Sequence, residues 1–383
     1  MSVYLDYNAT TPIDPRVLDA MISVYRYDPG NADSRTHDYG ASAKKIIEQA
    51  RQQVAALLNV SKSEVVFTSG STESTNIAIQ GLYEYSELSG KKHIITTAIE
   101  HKAVLNTVKY LGNHGFDVEF VNPDLSGRIS VDDVLNRVRK DTLLVSVMHV
   151  NNETGIIQPI EKLGEALGHS GILFHIDATQ SCGKLVKEIK NLKYDMLSLS
   201  AHKFGGPQGI GALILRKKNY KYPPVKNVYF GGSQEQGFRP GTIPVALVAG
   251  LGKACQIANE EYVKQSEENR EIKDVLLKLL NQSGVRYQIN GDPQFSVDNT
   301  LSVYFEGVSS EALMIATKKY CAISNGSACN SNSYELSYVL KAMGLPPERI
   351  ESSIRISWGP SNNREEIRQA FMKLLDVARE MSI

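Results

Sequence analysis

Residues 195–217 read DMLSLSAHKFGGPQGIGALILRK. The runs DMLSLS and GALILRK have the length and apolar content of buried strands. Between them, His202 and Lys203 enter a glycine-rich turn. Just upstream, ILFHIDATQ (172–180) is another such run and ends in Asp177. Outward from here, EVVFTS, KHIITTAI, DVEFVN and TLLVSVMHV continue the series toward the N-terminus. Helical patterns at Ser42–Leu58 and Ser74–Leu88 lie among them. This alternation predicts an α/β fold whose large domain holds a mainly parallel, seven-stranded sheet. Ligands in such sheets bind at the carboxyl ends of the strands. Polar residues just after strands therefore carry the most weight.

A long charged helical pattern runs from near Val248 toward Asn281. Beyond it, NTLSVYF, YCAISN and SSIRISW alternate with helical patterns at Ser310–Lys318, Ser337–Met343 and Arg364–Met381. That arrangement predicts a smaller α+β domain. The expected division is 15–255 for the large domain, with 1–14 and 256–383 for the small one, although the first dozen residues suit either.

Lys plus Arg and Asp plus Glu each number 42 among 383 residues. With no net charge there is no global field to hold nucleic acid, and no direct nucleic-acid binding is expected. Cys182, Cys255, Cys321 and Cys329 show no C-x-x-C spacing, which reads as a reducing compartment rather than a disulfide scaffold. MSVYLDYNATTPIDP lacks an apolar signal core. No apolar run approaches the roughly 18–20 residues of a membrane span. The expectation is a cytoplasmic protein.

The strand ends hold the chemistry. Lys203 is either a polar loop entry or a Schiff-base lysine, whose amine becomes nucleophilic when partly removed from water. Asp177 is either a helix cap or a partner for a cofactor ring nitrogen. Pyridoxal phosphate (PLP) enzymes need both groups. In VVFTSGSTES, a strand runs into Gly70, Ser71 and Thr72 and then a helix. Backbone N–H groups and hydroxyls there make either a phosphate cradle or an ordinary N-cap. His101, in ITTAIEHKAV, is a stacking or proton-transfer candidate, or a structural histidine. Asn151 and Asn152 end another strand and offer donors. Arg355, in SSIRISWG, has the planar fork that suits a carboxylate, or pairs with a surface acid. Cys329 stands in SNGSACNSNS (324–333), a polar run that suits a thiol which must be exposed and must move. No H-E-x-x-H spacing occurs, so no metal is expected. GGPQGIG lacks the G-K-[ST] of a P-loop.

These motifs occur together as YLDYNATTP, TSGSTES, EHKAV, MHVNNETG, HIDATQ, SAHKFGGPQGIGA, RPGT and SNGSAC. On them the chain resembles the cysteine desulfurases of the class-V aminotransferase group, the NifS/IscS-like enzymes, over almost its whole length. The resemblance implies a PLP-dependent transferase of fold type I, a homodimer, and removal of sulfur from L-cysteine with release of L-alanine. It implies that Lys203 binds the cofactor, Asp177 pairs with the ring nitrogen and His101 stacks on the ring. Ser71, Thr72, Ser200 and His202 match phosphate contacts, and Thr242 one reached from the other subunit. Asn152 and Gln180 match side chains near the ring substituents. Arg355, with Asn152, matches the substrate site. Cys329 matches the nucleophile that takes the sulfur as a persulfide and passes it to an acceptor protein.

Two departures stand out. Ala201 replaces a glycine common in relatives, with little expected effect. The chain stops at LLDVAREMSI, where relatives that feed the general iron–sulfur scaffold often extend further. A specialised acceptor, in DNA phosphorothioation or tRNA thiolation, therefore stands beside iron–sulfur assembly. Another class-V enzyme, an aminotransferase or selenocysteine lyase, would need Lys203 and Asp177 but not Cys329. A non-catalytic adaptor would need neither.

Overall fold

The computed structural model describes residues 2–325 and 336–382. The seven apolar runs form β2 (Val65–Thr68), β3 (His93–Thr97), β4 (Asp117–Val121), β5 (Thr142–Met148), β6 (Leu173–Asp177), β7 (Met196–Ser200) and β8 (Gly211–Leu215). They make one sheet, ordered β2-β8-β7-β6-β5-β3-β4. The strands from β7 across to β4 pair in parallel. β8 alone runs antiparallel to both neighbours. The cause is the length of the Lys203 turn: residues 201–210 are too few for the crossover of a dozen or more that parallel neighbours need. Every residue of β5 is buried, as expected of a strand covered on both faces.

Helices cover both faces. Asp38–Leu58 and Val245–Gln282 pack Val54, Leu57, Leu251 and Cys255 against one. Ser71–Gln80 and Lys102–Gly112 pack Ile77, Val104 and Val108 against the other. The pattern expected as one helix over Ser74–Leu88 is two, Ser71–Gln80 and Tyr83–Ser89. Gly81 stands between them, at a position where a Cβ would come 2.5 Å from the Lys226 carbonyl.

The remaining strands are β1 (Val3–Tyr4), β9 (Tyr287–Ile289), β10 (Thr300–Phe305), β11 (Cys321–Ala322) and β12 (Ser353–Ser357). β12-β10-β9 form an antiparallel sheet, and β1 pairs with β11. Their core includes Leu5, Val303, Phe305, Trp358 and Phe371. The first dozen residues join both parts of the molecule. β1 and Leu5 belong to this second core, whereas the Thr11 N–H donates to the His202 carbonyl at 2.9 Å. The segment Asn8–Thr11 is thereby drawn across the carboxyl ends of β6 and β7. Among the described residues, no helix is long and apolar enough to cross a membrane.

Candidate active site

Asp177 is the last residue of β6 and is buried. Its Oδ1 accepts from the Thr179 N–H at 3.0 Å and the Thr179 hydroxyl at 2.5 Å. His101 lies just beyond β3 and caps the helix Lys102–Gly112. Its Nδ1 accepts from the Ala103 N–H at 3.1 Å. An acceptor Nδ1 leaves the proton of the neutral ring on Nε2. Burial lowers the His101 pKa. The Asp177 charge opposes that shift, and the Lys203 charge adds to it. His101, Asp177 and Lys203 thus share one electrostatic site.

Lys203 ends the short turn Ala201–Lys203 after β7. Its Nζ donates to the carbonyls of Asn8 at 2.8 Å and Ala9 at 2.7 Å. Asn8 is the hub of the site. Its carbonyl also accepts from Gln180 Nε2 at 2.8 Å. Its side-chain Oδ1 accepts from Lys184 Nζ at 3.3 Å, and its Nδ2 donates to the Asn152 carbonyl at 3.2 Å. Lys184 Nζ also donates to Gln180 Oε1 at 3.0 Å. Removal from water, with the nearby charges of Lys203 and Arg355, pushes the Lys184 amine down to about 7.

Arg355 projects from β12 into the same region. Its Nη1 donates to the Asn152 carbonyl at 2.9 Å and its Nη2 to Asp6 Oδ1 at 2.6 Å. Its Nε and the Oδ1 of Asn152 are buried with no hydrogen-bond partner among the described residues. Buried polar atoms are rarely left in that state.

The N-terminus of the helix Ser71–Gln80 has no side-chain cap. Gly70 precedes it at φ 154°, and its Cα side faces the Ser200 hydroxyl. The first N–H groups of a helix have no partner within it, so they point outward beside the Ser71 and Thr72 hydroxyls. His202 completes this edge, its Nδ1 3.1 Å from the Thr10 hydroxyl. Burial, then the Lys203 charge, pushes its pKa down to about 4. Thr242 is not brought into the cluster. It is exposed, on the wall of an open hollow of about 570 Å³ that also contains Ser69 and Glu73. Cys329 lies outside the described residues.

The family Aminotransferase class-V matches residues 3–370. The chain belongs to the class-V aminotransferase family. Among its relatives within the family, cysteine desulfurase IscS of Pectobacterium carotovorum subsp. carotovorum (strain PC1) is 44% identical over 371 residues. That alignment covers 96% of this chain and 90% of the relative. Cysteine desulfurase IscS of Anaeromyxobacter dehalogenans (strain 2CP-C) is 42% identical, covering 99% and 94%. A solved NifS-like protein superposes with a TM-score of 0.91 at 37% identity, covering 99% of this chain and all of that one. DndA from Streptomyces lividans gives 0.81 at 42%, covering 94% and 100%.

The cofactor of the family is pyridoxal 5′-phosphate, and the residues present fit it. An uncapped helix N-terminus with hydroxyls suits its phosphate. A buried carboxylate suits a protonated ring nitrogen. A lysine stands one strand away, and the buried Asn152 Oδ1 has no hydrogen-bond partner among the described residues.

Sequence reasoning missed Asp6, Asn8, Lys184, Glu100 and Glu153. Asp6 and Asn8 sit in YLDYNATTP, a stretch visible in the sequence, but nothing local shows that Lys203 would be their neighbour. Glu153 is buried, bonds the Ser337 hydroxyl through Oε2 and is pushed up to about 7 by burial. Glu100 accepts at Oε1 from the Thr97 hydroxyl at 2.7 Å and the Met148 N–H at 2.8 Å. Burial, reinforced by the Asp177 charge, pushes it from 4.5 up to about 8. Its sign follows from proton linkage. Between those values the folded state holds a proton that the unfolded state has lost, so stability falls as pH rises through the window. Glu100→Gln is therefore expected to flatten the decline of Tm between about pH 5 and 8. A thermal-melt series across that range checks it, and an unchanged slope rejects it.

Proposed function

We propose that this chain is a PLP-dependent cysteine desulfurase in which Cys329 receives the sulfur. The observation that carries the reading is the joining, through Asn8, of Lys203, Gln180 and Asn152 beside Asp177 and Arg355. The likeness to cysteine desulfurases along nearly the whole chain supports it. So does the solved relative described as SspA in complex with cysteine, 37% identical over 94% of this chain.

When bound, PLP supplies an electron sink for the pair left at the substrate Cα. Lys203 Nζ takes the Cα proton and returns it on the way to alanine. Asp177 would pair with a positive charge at the ring nitrogen, and His101, neutral with its proton on Nε2, would stack on the ring. Ser71, Thr72, Ser200 and His202 would receive the phosphate. Arg355 binds the substrate carboxylate, with Asn152 beside it. The Cys329 thiolate attacks the sulfur of L-cysteine as the Cβ–S bond breaks. The balance is L-cysteine plus Cys329–SH giving L-alanine plus Cys329–S–SH. That persulfide passes to an acceptor protein of iron–sulfur assembly, tRNA thiolation or DNA phosphorothioation.

The same proposal includes a homodimer in the cytoplasm. Phe230 is 92% exposed, on the loop that also carries Thr242. Tyr25 and Tyr27 are exposed as well. Large exposed aromatics favour an interface, and Thr242 would reach the partner's phosphate site across it. Cys182, Cys255 and Cys321 are free thiols, as a reducing compartment requires.

The testing experiment loads the purified protein with PLP, adds L-cysteine and a reducing thiol, and assays alanine and sulfide. Equal yields support the desulfurase; a PLP-loaded protein that forms no alanine refutes it. Arg355→Lys keeps the charge but loses the fork. Its expected effect is a KM for L-cysteine raised about 10- to 150-fold, as for loss of a charged hydrogen bond. Steady-state kinetics checks this, and an unchanged KM removes Arg355 from the substrate site.

A further inference from the structure

Glu235 and Gln236 have φ values of 47° and 60°, a conformation that L side chains rarely adopt. Such outliers persist only where the surroundings over-determine them, and they gather at functional segments. Here the surroundings are explicit. β2 is an edge strand, so the Val65 carbonyl and Phe67 N–H face outward with no strand to pair with. Arg51 Nη1 donates to the Val65 carbonyl at 2.7 Å, and Glu235 Oε2 accepts from the Phe67 N–H at 2.7 Å. Arg51 and Glu235 also grip each other through two bonds, at 2.9 and 2.7 Å. The Glu235 side chain is 1% exposed. The Arg51 guanidinium lies 4.7 Å from the centroid of the Phe67 ring.

Edge protection alone needs no bent loop, since charged side chains on the edge itself suffice. The bend does something further: it fixes the course of residues 234–242. Gln234 Oε1 accepts from the Gly241 N–H at 3.0 Å, directly before Thr242. Arg239 Nε donates to Glu73 Oε1 at 3.0 Å, and Glu73 lies in the first turn of the helix Ser71–Gln80. The loop is tied at one point to the sheet edge and at another to the phosphate cradle.

We propose that the Arg51–Glu235 pair is a positioning device that aims Thr242 at a cofactor phosphate. The inference rests on the phosphate role given to Thr242 above, and on the dimer that would let it cross to the partner subunit. Arg51 and Glu235 touch neither cofactor nor substrate; they act through the loop.

The test uses the full-length protein stripped of PLP and titrated with either PLP or pyridoxal, which lacks the phosphate, with binding read by absorbance. Glu235→Gln and Arg51→Lys are each expected to raise the PLP dissociation constant tenfold or more while leaving that of pyridoxal within twofold. The double variant is expected to be no worse than the poorer single one, because each residue acts through the other. At saturating PLP, alanine formation should remain. If one variant fails to fold, the other carries the test. Equal losses for both ligands reduce the pair to a purely structural role and overturn the proposal, as does no loss at all. Thr242→Ala separates the two levels. A PLP-specific loss in Thr242→Ala with none in Glu235→Gln or Arg51→Lys sinks this inference alone. An inert Thr242→Ala removes the phosphate role of Thr242, and the inference with it.

Discussion

Lys203→Ala is expected to lower cysteine-dependent alanine formation about 10³-fold or more, since it removes both the covalent attachment point and the base at the substrate Cα. The amine is held by two carbonyls, those of Asn8 and Ala9, so its position does not depend on a flexible partner side chain. Lys184 is another amine close by. Its Nζ donates to Gln180 Oε1 and Asn8 Oδ1. The expected signature is a changed visible spectrum of the bound cofactor, with thermal stability near that of the parent protein. Alanine formation within tenfold of the parent would reassign the base, and Lys184→Met would then be the next variant to measure.

Cys329→Ser is expected to reduce persulfide formation to about a thousandth or below, since loss of a nucleophile that works as one unit with its base removes most of the rate. Cofactor absorbance should be retained. The remaining described cysteines cannot take over the role, because the thiolate is the attacking species. Cys182, Cys255 and Cys321 are all buried. Burial pushes the Cys321 thiol up to about 11, and those of Cys182 and Cys255 well above their usual range. At neutral pH these three stay protonated. Mass spectrometry after a single exposure to L-cysteine should find the added sulfur on the peptide containing Cys329 and on no other. Added sulfur on Cys182, or a parent-like rate in Cys329→Ser, would remove Cys329 from its place. Loss of bound PLP in Cys329→Ser would count equally against it.

What the sequence determined by itself is short-range. Six of the seven runs mark strands that are buried almost throughout, while β4, at the sheet edge, is only partly buried and alternates polar with apolar residues. Asp177, His101 and Lys203 are legible because each stands within a few residues of a strand end, where this fold class puts its chemistry. Ser71 and Thr72 are legible because a strand–glycine–helix junction is itself local. The reversed direction of β8 was also present, in the shortness of residues 201–210, but only when connection length is weighed against strand direction.

The tertiary structure decided everything that depends on residues distant in sequence meeting in space. Asn8 holds Lys203, Gln180, Lys184 and Asn152 together across as many as 195 positions, and no periodicity announces such a contact. The ion pair of Arg355 with Asp6 exists because Asp6, just past β1, bridges to Ser357 at the end of β12. Glu100 and Lys184 are ordinary acidic and basic residues in the sequence, yet one rises to about 8 and the other falls to about 7. Those shifts arise from lost water and from charges brought near, both of which exist only after folding. The left-handed turn at Glu235 and Gln236 has the same origin. Nothing in the residues themselves favours it. A buried guanidinium and an open strand edge, contributed by residues 51 and 67, hold it there.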